Sequence, residues 1–388
     1  MTHEFDPAVN VAMFAPWHKE CGVRDYTEHL VRAMDSLPEI ASTRMVAAPE
    51  DAARLGAGSI AAHFRGDARR FGELGSAMNA GADIAHIQHQ YFLFGGVAPH
   101  RTHIRDFLNA IRIPAVMTVH EIAVSDGSWM RRAGVLAANR MNFLHPGLKA
   151  LVVHTEQDRD RLLAMGVATT KTHLIRHPVP PARQMPTLSA ARRVLEPAFP
   201  ALAGRRIVTL FGFMSAKKGH RVAVRALARM PEDVALLFAG GPHPDDHTQY
   251  VPGIQAEIAR LGLQDRVVIT GYLEEDLVPA VMAATEVALA PFVHTSGSGS
   301  LANLFAYGRA IVASDIAPHR ELERAAPGAM ELAPADDPDR LASLVLALMA
   351  DDERRAALQH SALAYARSHT YLEMARDTLN IYRALLRG

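Results

Sequence analysis

A lysine pair inside a glycine-bearing turn is the first group of residues that could do chemistry. Gly212, Phe213, Met214, Ser215, Ala216, Lys217, Lys218 and Gly219 join an apolar run at 207–211 to an amphipathic one at 219–230. Small residues allow close backbone approach, and a lysine just ahead of a helix can meet an anion held near its N-terminus. Spacing alone leaves this open between a phosphate cradle and a tight turn with a solvated lysine pair. Thr295, Ser296, Gly297, Ser298, Gly299, Ser300 and Leu301 form a second candidate, between a β-rich run and a helix. Several N–H groups could converge there on a diphosphate, aided by hydroxyls and the helix dipole. A flexible Gly/Ser loop is the alternative. No Gly-Lys-Thr or Gly-Lys-Ser follows, so the loop is not a P-loop. His120 closes the apolar run 115–119, with Glu121 beside it. A histidine there can donate a hydrogen bond into a cleft near neutral pH, or be a satisfied polar residue at a domain edge. His86, His89, His100 and His103 invite a metal reading. They lack a carboxylate partner at fixed spacing, and no metal is expected.

These residues need strands and helices to hold them. Short apolar runs at 9–14, 84–87, 115–119 and 150–154 read as buried strands of a parallel sheet, with helices at 23–37 and 100–110 as crossovers. Residues 155–165 open on a capping pattern, Thr155 and Asp158, and stop at Gly166. Prolines 178, 180, 181, 186, 197 and 200 make 176–200 the expected linker. A second series follows. Strands are expected at 207–211, 234–239, 267–270, 287–290 and 310–314, and helices at 219–230, 274–284, 300–307 and 371–386. Ligands of such sheets bind beyond the carboxyl ends of the strands. That rule selects 212–219, 240–243, 295–301 and 314–321 in the second half, and 17–23, 88–96 and 120–124 in the first.

The 388 residues suit two cores rather than one. Lys plus Arg and Asp plus Glu are 41 each, so no global field favours nucleic acid. The lone Cys21 excludes an internal disulfide framework and a multi-cysteine zinc site. Residues 1–10 lack a signal-peptide pattern, and no apolar stretch reaches a membrane span. A cytoplasmic location is expected, with peripheral contact at the inner face of a membrane left open.

In order and spacing these segments resemble the retaining, nucleotide-sugar-dependent glycosyltransferases of family 4. Residues 212–219 resemble that family's glycine turn followed by Lys-Gly. Ala239-Gly240-Gly241-Pro242 resembles its second glycine corner, and Gly271-Tyr272-Leu273 the segment after the next strand. The stretch from Asn303 to Asp315 resembles its helix, turn and strand around the donor nucleotide. Thr118-Val119-His120-Glu121 resembles the stretch with its cleft histidine, and 175–179 the approach to its linker. His86 to Tyr91 and Phe94-Gly95-Gly96 resemble a branch rich in polysaccharide and mannose-transferring members. Two departures stand out. The family's two donor-loop glutamates, with seven residues between them, are here Thr295 and Asn303, and its basic residue after the first glycine is Phe213.

The resemblance implies the GT-B fold: α/β, with two Rossmann-like domains facing across a cleft. It implies domains at 1–185 and 186–366, and a C-terminal helix at 367–388 that returns to the first. The donor, a nucleoside diphosphate sugar, would meet Gly212, Phe213, Lys218, Gly241, Thr295, Ser298, Gly299, Ser300, Leu301 and Asn303. The acceptor, a glycan, lipid-linked or small molecule, would meet Trp17, Gly22, Gln90 and Tyr91. His120 and Lys218 carry the catalytic assignments, with retention of configuration and no obligatory cofactor. Transfer of a hexose, with mannose one candidate, is expected. A nucleotide-sugar epimerase on the same fold and a non-catalytic nucleotide-sugar-binding protein are the rival readings. Oligomeric state is left undecided.

Overall fold

The computed structural model describes residues 7–16, 22–47, 60–61, 68–97, 102–125, 127–242 and 249–388. The chain divides into two compact units, one of 1–177 with 371–388 and the other of 178–370.

The first unit is built on a parallel sheet of seven strands among the described residues. These are β1 (Val9–Phe14), β2 (Ile40–Ala47), β3 (Ile60–Ala61), β4 (Ile84–His89), β5 (Ala115–Val119), β6 (Leu148–Val153) and β7 (Thr172–Leu174). Their order is β3-β2-β1-β4-β5-β6-β7. Its helices are α1 (Gly22–Asp35), α2 (Ala68–Met78), α3 (Ile104–Ala110), α4 (Trp129–Phe143) and α5 (Glu156–Ala164). β4 and β5 are buried along their whole length, which explains why they read as apolar runs. Thr155 caps α5 by accepting from the Asp158 amide, as its sequence pattern predicts. One core, with Phe14, Phe71, Phe94, Phe107 and Phe143, fills one face of the sheet. The other face packs α1 and the C-terminal helix, Tyr371–Arg387, through Tyr26, Leu30, Met374, Leu379 and Tyr382.

The second unit holds β8 (Arg206–Phe211), β9 (Val234–Ala239), β10 (Val267–Ile269), β11 (Thr285–Ala290), β12 (Ile311–Ser314) and β13 (Glu331–Ala333). They form a parallel sheet ordered β10-β9-β8-β11-β12-β13. Its helices are α6 (Leu188–Ala198), α7 (His220–Leu227), α8 (Tyr250–Arg260), α9 (Val278–Ala284), α10 (Gly299–Ala306), α11 (Ala317–Ala325), α12 (Pro338–Ala350) and α13 (Asp352–Ser368). Both sheets therefore carry the doubly wound Rossmann order. The order reverses between β1 and β4 in the first and between β8 and β11 in the second. At such a point two neighbouring crossovers run to opposite faces and leave a crevice beyond the strand ends.

Several sequence expectations need correction. The 176–200 segment is not a linker throughout. Thr187 accepts a hydrogen bond from the Ala190 amide and starts α6, whose Ala191 and Leu195 are buried. Pro197 sits in the last turn of α6, leaves the Arg193 carbonyl without its helical donor, and the helix stops one residue later. The division between units falls after His177 and again after Thr370, against expected bounds of 185 and 366. The helix expected over 100–110 begins at Ile104, with His100 outside the described residues. The one expected over 274–284 opens as a 3-10 turn, Glu275–Leu277, before α9.

Candidate functional site

In the second unit, the crevice between β8 and β11 is walled by the two loops that could do chemistry. β8 ends at Phe211, and the chain turns at Gly212 with φ +103°. A Cβ there would stand 2.8 Å from Ser300 Cβ and 3.9 Å from Lys218 Nζ, so glycine lets the two loops touch. Gly219, at φ +73°, lies closer still: a Cβ would meet the Pro291 carbonyl oxygen at 1.9 Å. These approaches bring Lys218 onto the start of α10.

Lys218 Nζ donates to Ser300 Oγ and lies 3.4 Å from Ser298 Oγ. It also sits over the Phe292 ring, 4.2 Å from its centroid. Burial pushes the ammonium down to about 7, because these hydroxyls and the ring replace water without supplying a counter-charge. Ser298 caps α10 by accepting from the Leu301 N–H at 3.2 Å, and its Oγ is 2.9 Å from Ser300 Oγ. This corrects the expectation for Leu301, whose side chain is buried and whose amide is engaged by the cap. The open amide donors of the helix start are those of Gly299 and Ser300, among the described residues.

The remaining donor-side residues take different places. Phe213 lies near Tyr272, with ring centroids 6.3 Å apart. Gly241 is pressed against the backbone of Gly271 and Tyr272, and its carbonyl accepts from the Met214 amide at 2.7 Å. The Thr295 hydroxyl donates to the Gly297 carbonyl at 2.9 Å, and the Asn303 amide to the Gly299 carbonyl at 2.9 Å. Both side chains thus hold their own loop. Three residues given no individual role from the sequence also belong here, two of them, Ser296 and His319, within the expected segments 295–301 and 314–321. Phe292 carries the ammonium, Ser296 is buried with its hydroxyl unpaired among the described residues, and His319 is buried 5.4 Å from the Phe292 ring. His319 Nδ1 donates to the Ser314 carbonyl at 2.8 Å, and burial lowers its pKa to about 4. Their one sequence signal is that they follow the ends of β11 and β12.

The first unit lines up polar groups at the carboxyl ends of β4, β5 and β6. Gln88 is the penultimate residue of β4 and fully buried, His120 follows β5, and His154 follows β6. Half-buried His120 donates through Nε2 to Gln88 Oε1 at 2.8 Å. Gln88 Nε2 in turn approaches Met13 Sδ at 3.3 Å, which fixes the amide orientation. Burial, followed by the neighbouring His154 and His177, holds His120 well below the usual histidine range. The ring is therefore neutral, with Nδ1 as its acceptor. Its expected role as a donor is altered by this network, because its one N–H is engaged by Gln88. Tyr26 packs edge-on against His120 at 4.7 Å and also touches His154 and His177.

On the expected acceptor side, Trp17 lies outside the described residues, and exposed Gly22 opens α1. Gln90 is half-buried, with its side-chain oxygen unpaired among the described residues. Tyr91 requires correction as a contact residue. It is 5% exposed, its hydroxyl donates to Asn139 Oδ1, and it accepts from the Ala123 amide at 3.2 Å. The phenol pins its turn to α4, because a buried hydroxyl must satisfy its hydrogen bonds within the protein.

Residues 205–351 match the family "Glycosyl transferases group 1". A 2-deoxystreptamine glucosyltransferase of Streptomyces kanamyceticus is 35% identical over 114 residues, 28% of each chain. A D-inositol 3-phosphate glycosyltransferase of Xylanimonas cellulosilytica is 27% identical over 241 residues, 60% of this chain and 56% of its own. The alignments with curated relatives thus span from 28% to 56% of those relatives' lengths. Among solved structures, sucrose-phosphate synthase of Thermosynechococcus elongatus superposes with a TM-score of 0.75 at 16% identity, covering 98% of this chain and 99% of its own. HepE of Anabaena, in complex with UDP-glucose, superposes with a TM-score of 0.73 at 15% identity, covering 96% and 99%. The fold is the α/β, doubly Rossmann-like GT-B fold of these proteins. Among the described residues, no helix is long and apolar enough to cross a membrane.

Proposed function

We propose, on the premise that residues 205–351 are a group 1 glycosyl transferase domain, that this chain is a glycosyltransferase that takes its sugar from a nucleoside diphosphate. One observation carries the reading: Lys218, the Ser298 and Ser300 hydroxyls and the start of α10 converge at the β8/β11 switch point. A diphosphate there replaces the serine hydroxyls as partner of the ammonium. As the sugar departs, negative charge grows on the leaving diphosphate. Lys218 and the Gly299 and Ser300 amides meet that charge without reorganising. His120 serves the transfer step by accepting a sugar hydroxyl at Nδ1, not by attacking as a nucleophile. The sugar is a hexose and its configuration is retained, as in family 4. The acceptor is a small molecule or glycan, in keeping with the small-molecule acceptors in the relatives' names. An epimerase is not favoured, since those relatives are transferases.

The binding-protein reading retains one specific support. The Thr295 hydroxyl and the Asn303 amide, which replace the family's carboxylates, are engaged by their own loop. A panel of UDP-, GDP- and dTDP-sugars separates the two. The cognate donor should stabilise the fold by about 2.7 kcal/mol at one hundred times its Kd. Release of nucleoside diphosphate with an acceptor then identifies the enzyme. Donor binding without transfer across a broad acceptor panel would favour the binding protein, and no stabilisation by any donor would reject both.

A further inference from the structure

Two strands of the first unit carry the same side-chain pairing twice. β4 and β5 run parallel, with Gln88 opposite Thr118 in the register. His86 Nε2 bonds Thr118 Oγ1 at 2.8 Å, and one pleat further on His120 Nε2 donates to Gln88 Oε1 at 2.8 Å. Both pairs join residues 32 apart in the chain, so they are one diagonal contact repeated at the two-residue period of a strand. Each is closed on its far side. The Tyr382 hydroxyl meets His86 Nδ1, and Gln88 Nε2 donates to Met13 Sδ at 3.3 Å. The first pair lies wholly in the core, with His86, Thr118 and Tyr382 fully buried. The second ends at the carboxyl edge of the sheet, where His120 is half-buried.

A pair in the core needs only to be satisfied, whereas a pair at the edge also decides what its outer member offers a ligand. A neutral imidazole has two tautomers, and the bond made by one nitrogen selects the state of the other. Gln88 is fully buried, and its oxygen can only accept. Turned over, the amide would set that oxygen against the Met13 sulfur. The proton of His120 is therefore held at Nε2. Its Nδ1 has no partner among the described residues and is not enclosed by them. The ring plane is held as well. Tyr26 from α1 packs edge-on against it, 4.7 Å between centroids at 86°, and the Tyr26 hydroxyl donates to Met374 Sδ at 3.0 Å. The other titratable groups around the ring are His154 after β6, His177 after β7, His89 and His86 on β4, and the adjoining Glu121. Burial first, and then those four imidazoles, hold His120 below the usual histidine range. What is left to select is the tautomer, since the charge is already excluded.

We propose that Gln88 is a positioning residue for the transfer step: by accepting the Nε2–H of His120 it keeps the lone pair at Nδ1, where a sugar hydroxyl can donate to it. The inference rests on the transferase reading and adds a residue that touches neither substrate.

The test joins a spectrum to kinetics. In long-range proton–nitrogen spectra of the full chain, His120, assigned by its loss in His120→Asn, should show a protonated Nε2 and a bare Nδ1 between about pH 6 and 8. Gln88→Leu leaves the Nε2–H without an acceptor, so the proton should move to Nδ1. Turnover at saturating donor should then fall about five- to 150-fold at every pH, with the donor KM little changed. Gln88→Glu restores the acceptor but favours the imidazolium. Its turnover should approach wild type at alkaline pH and fall as pH drops through the raised His120 pKa, a profile wild type lacks. A wild-type His120 protonated at Nδ1 would overturn the proposal whether or not the variants fold. So would wild-type turnover by folded Gln88→Leu, or equal loss in both variants at every pH, which marks a structural role. Wild type without turnover on any donor fails the transferase reading instead, and the spectrum alone then decides this one.

Discussion

Lys218 offers the sharpest test of the donor site, because its charge state and its ligand are coupled. Free Lys218 lies on two serine hydroxyls and the Phe292 ring, and burial brings its pKa down to about 7. A diphosphate favours the ammonium, so binding must take up a proton wherever the free lysine is neutral. The sign follows: affinity is full below the free-state pKa and falls as pH rises through it. Each unit above it costs about 1.4 kcal/mol, or about tenfold in Kd. Between pH 6 and 8.5 the loss is about thirtyfold, in a range where neither nucleobase nor diphosphate ester ionises. Lys218→Ala removes a charge-assisted bond worth about 1.5–3 kcal/mol, ten- to 150-fold in Kd. Its affinity should be low and flat with pH, so the two curves converge at the alkaline end. Calorimetry in buffers of different ionisation enthalpy counts the protons directly, with about one taken up at pH 8 and almost none at pH 6. A flat wild-type curve without proton uptake, or wild-type affinity in Lys218→Ala at pH 6, would refute the reasoning.

Three further outcomes follow from the geometry. Gly212→Ala places a methyl 2.8 Å from Ser300 Cβ at φ +103°, so strain of about 1–3 kcal/mol should appear as weaker donor affinity in a folded protein; unchanged affinity in a titration would separate the two loops. His120→Ala should cut turnover at saturating donor about a hundredfold in a protein that still folds, less stable by about 1–3 kcal/mol because Gln88 Oε1 is left unpaired; full turnover would make the residue structural. His89 is buried with both ring nitrogens unpaired among the described residues, and burial holds its pKa at about 3. Its contribution to stability is intact above the unfolded value near 6.5 and is lost, by about 1.4 kcal/mol per unit, as pH falls towards 3. His89→Phe should therefore gain melting temperature over wild type as pH drops from 7 to 5, and parallel curves would count against this.

The sequence was most legible where burial is two-sided. β5, β9 and the cores of β8 and β11 are apolar but for the buried Thr118 and Thr209, because helices cover both faces, so composition alone marks them. β2 escaped because its run, Ile40–Ala47, mixes Ser42, Thr43 and Arg44 among apolar residues, and Arg44 turns its guanidinium onto the Ala77 carbonyl. The site loops were found from the strand-end rule, which needs the order of strands but no distances. The roles within them were less legible. Nothing in one dimension tells that Ser298 caps α10, that Tyr91 is engaged by Asn139, or that Gln88 takes the one N–H of His120. Each depends on a partner 3 to 48 residues away, whose direction is set by packing.

The C-terminal helix has a consequence for how the chain is made. Tyr371, Met374 and Tyr382 complete the core that lies against α1, and the Tyr382 hydroxyl meets His86 in its interior. That core is therefore assembled from the two ends of a stretch interrupted by residues 178–370. At about 5–20 residues per second, the ribosome needs roughly ten to forty seconds to traverse the interruption. The second unit is contiguous and can close during that time. The nascent first unit must wait with the α1 side of its sheet uncovered and His86 unmet. This interval is when a chaperone that shields apolar strands would have the most to do, and when a translational pause would most raise the risk of aggregation.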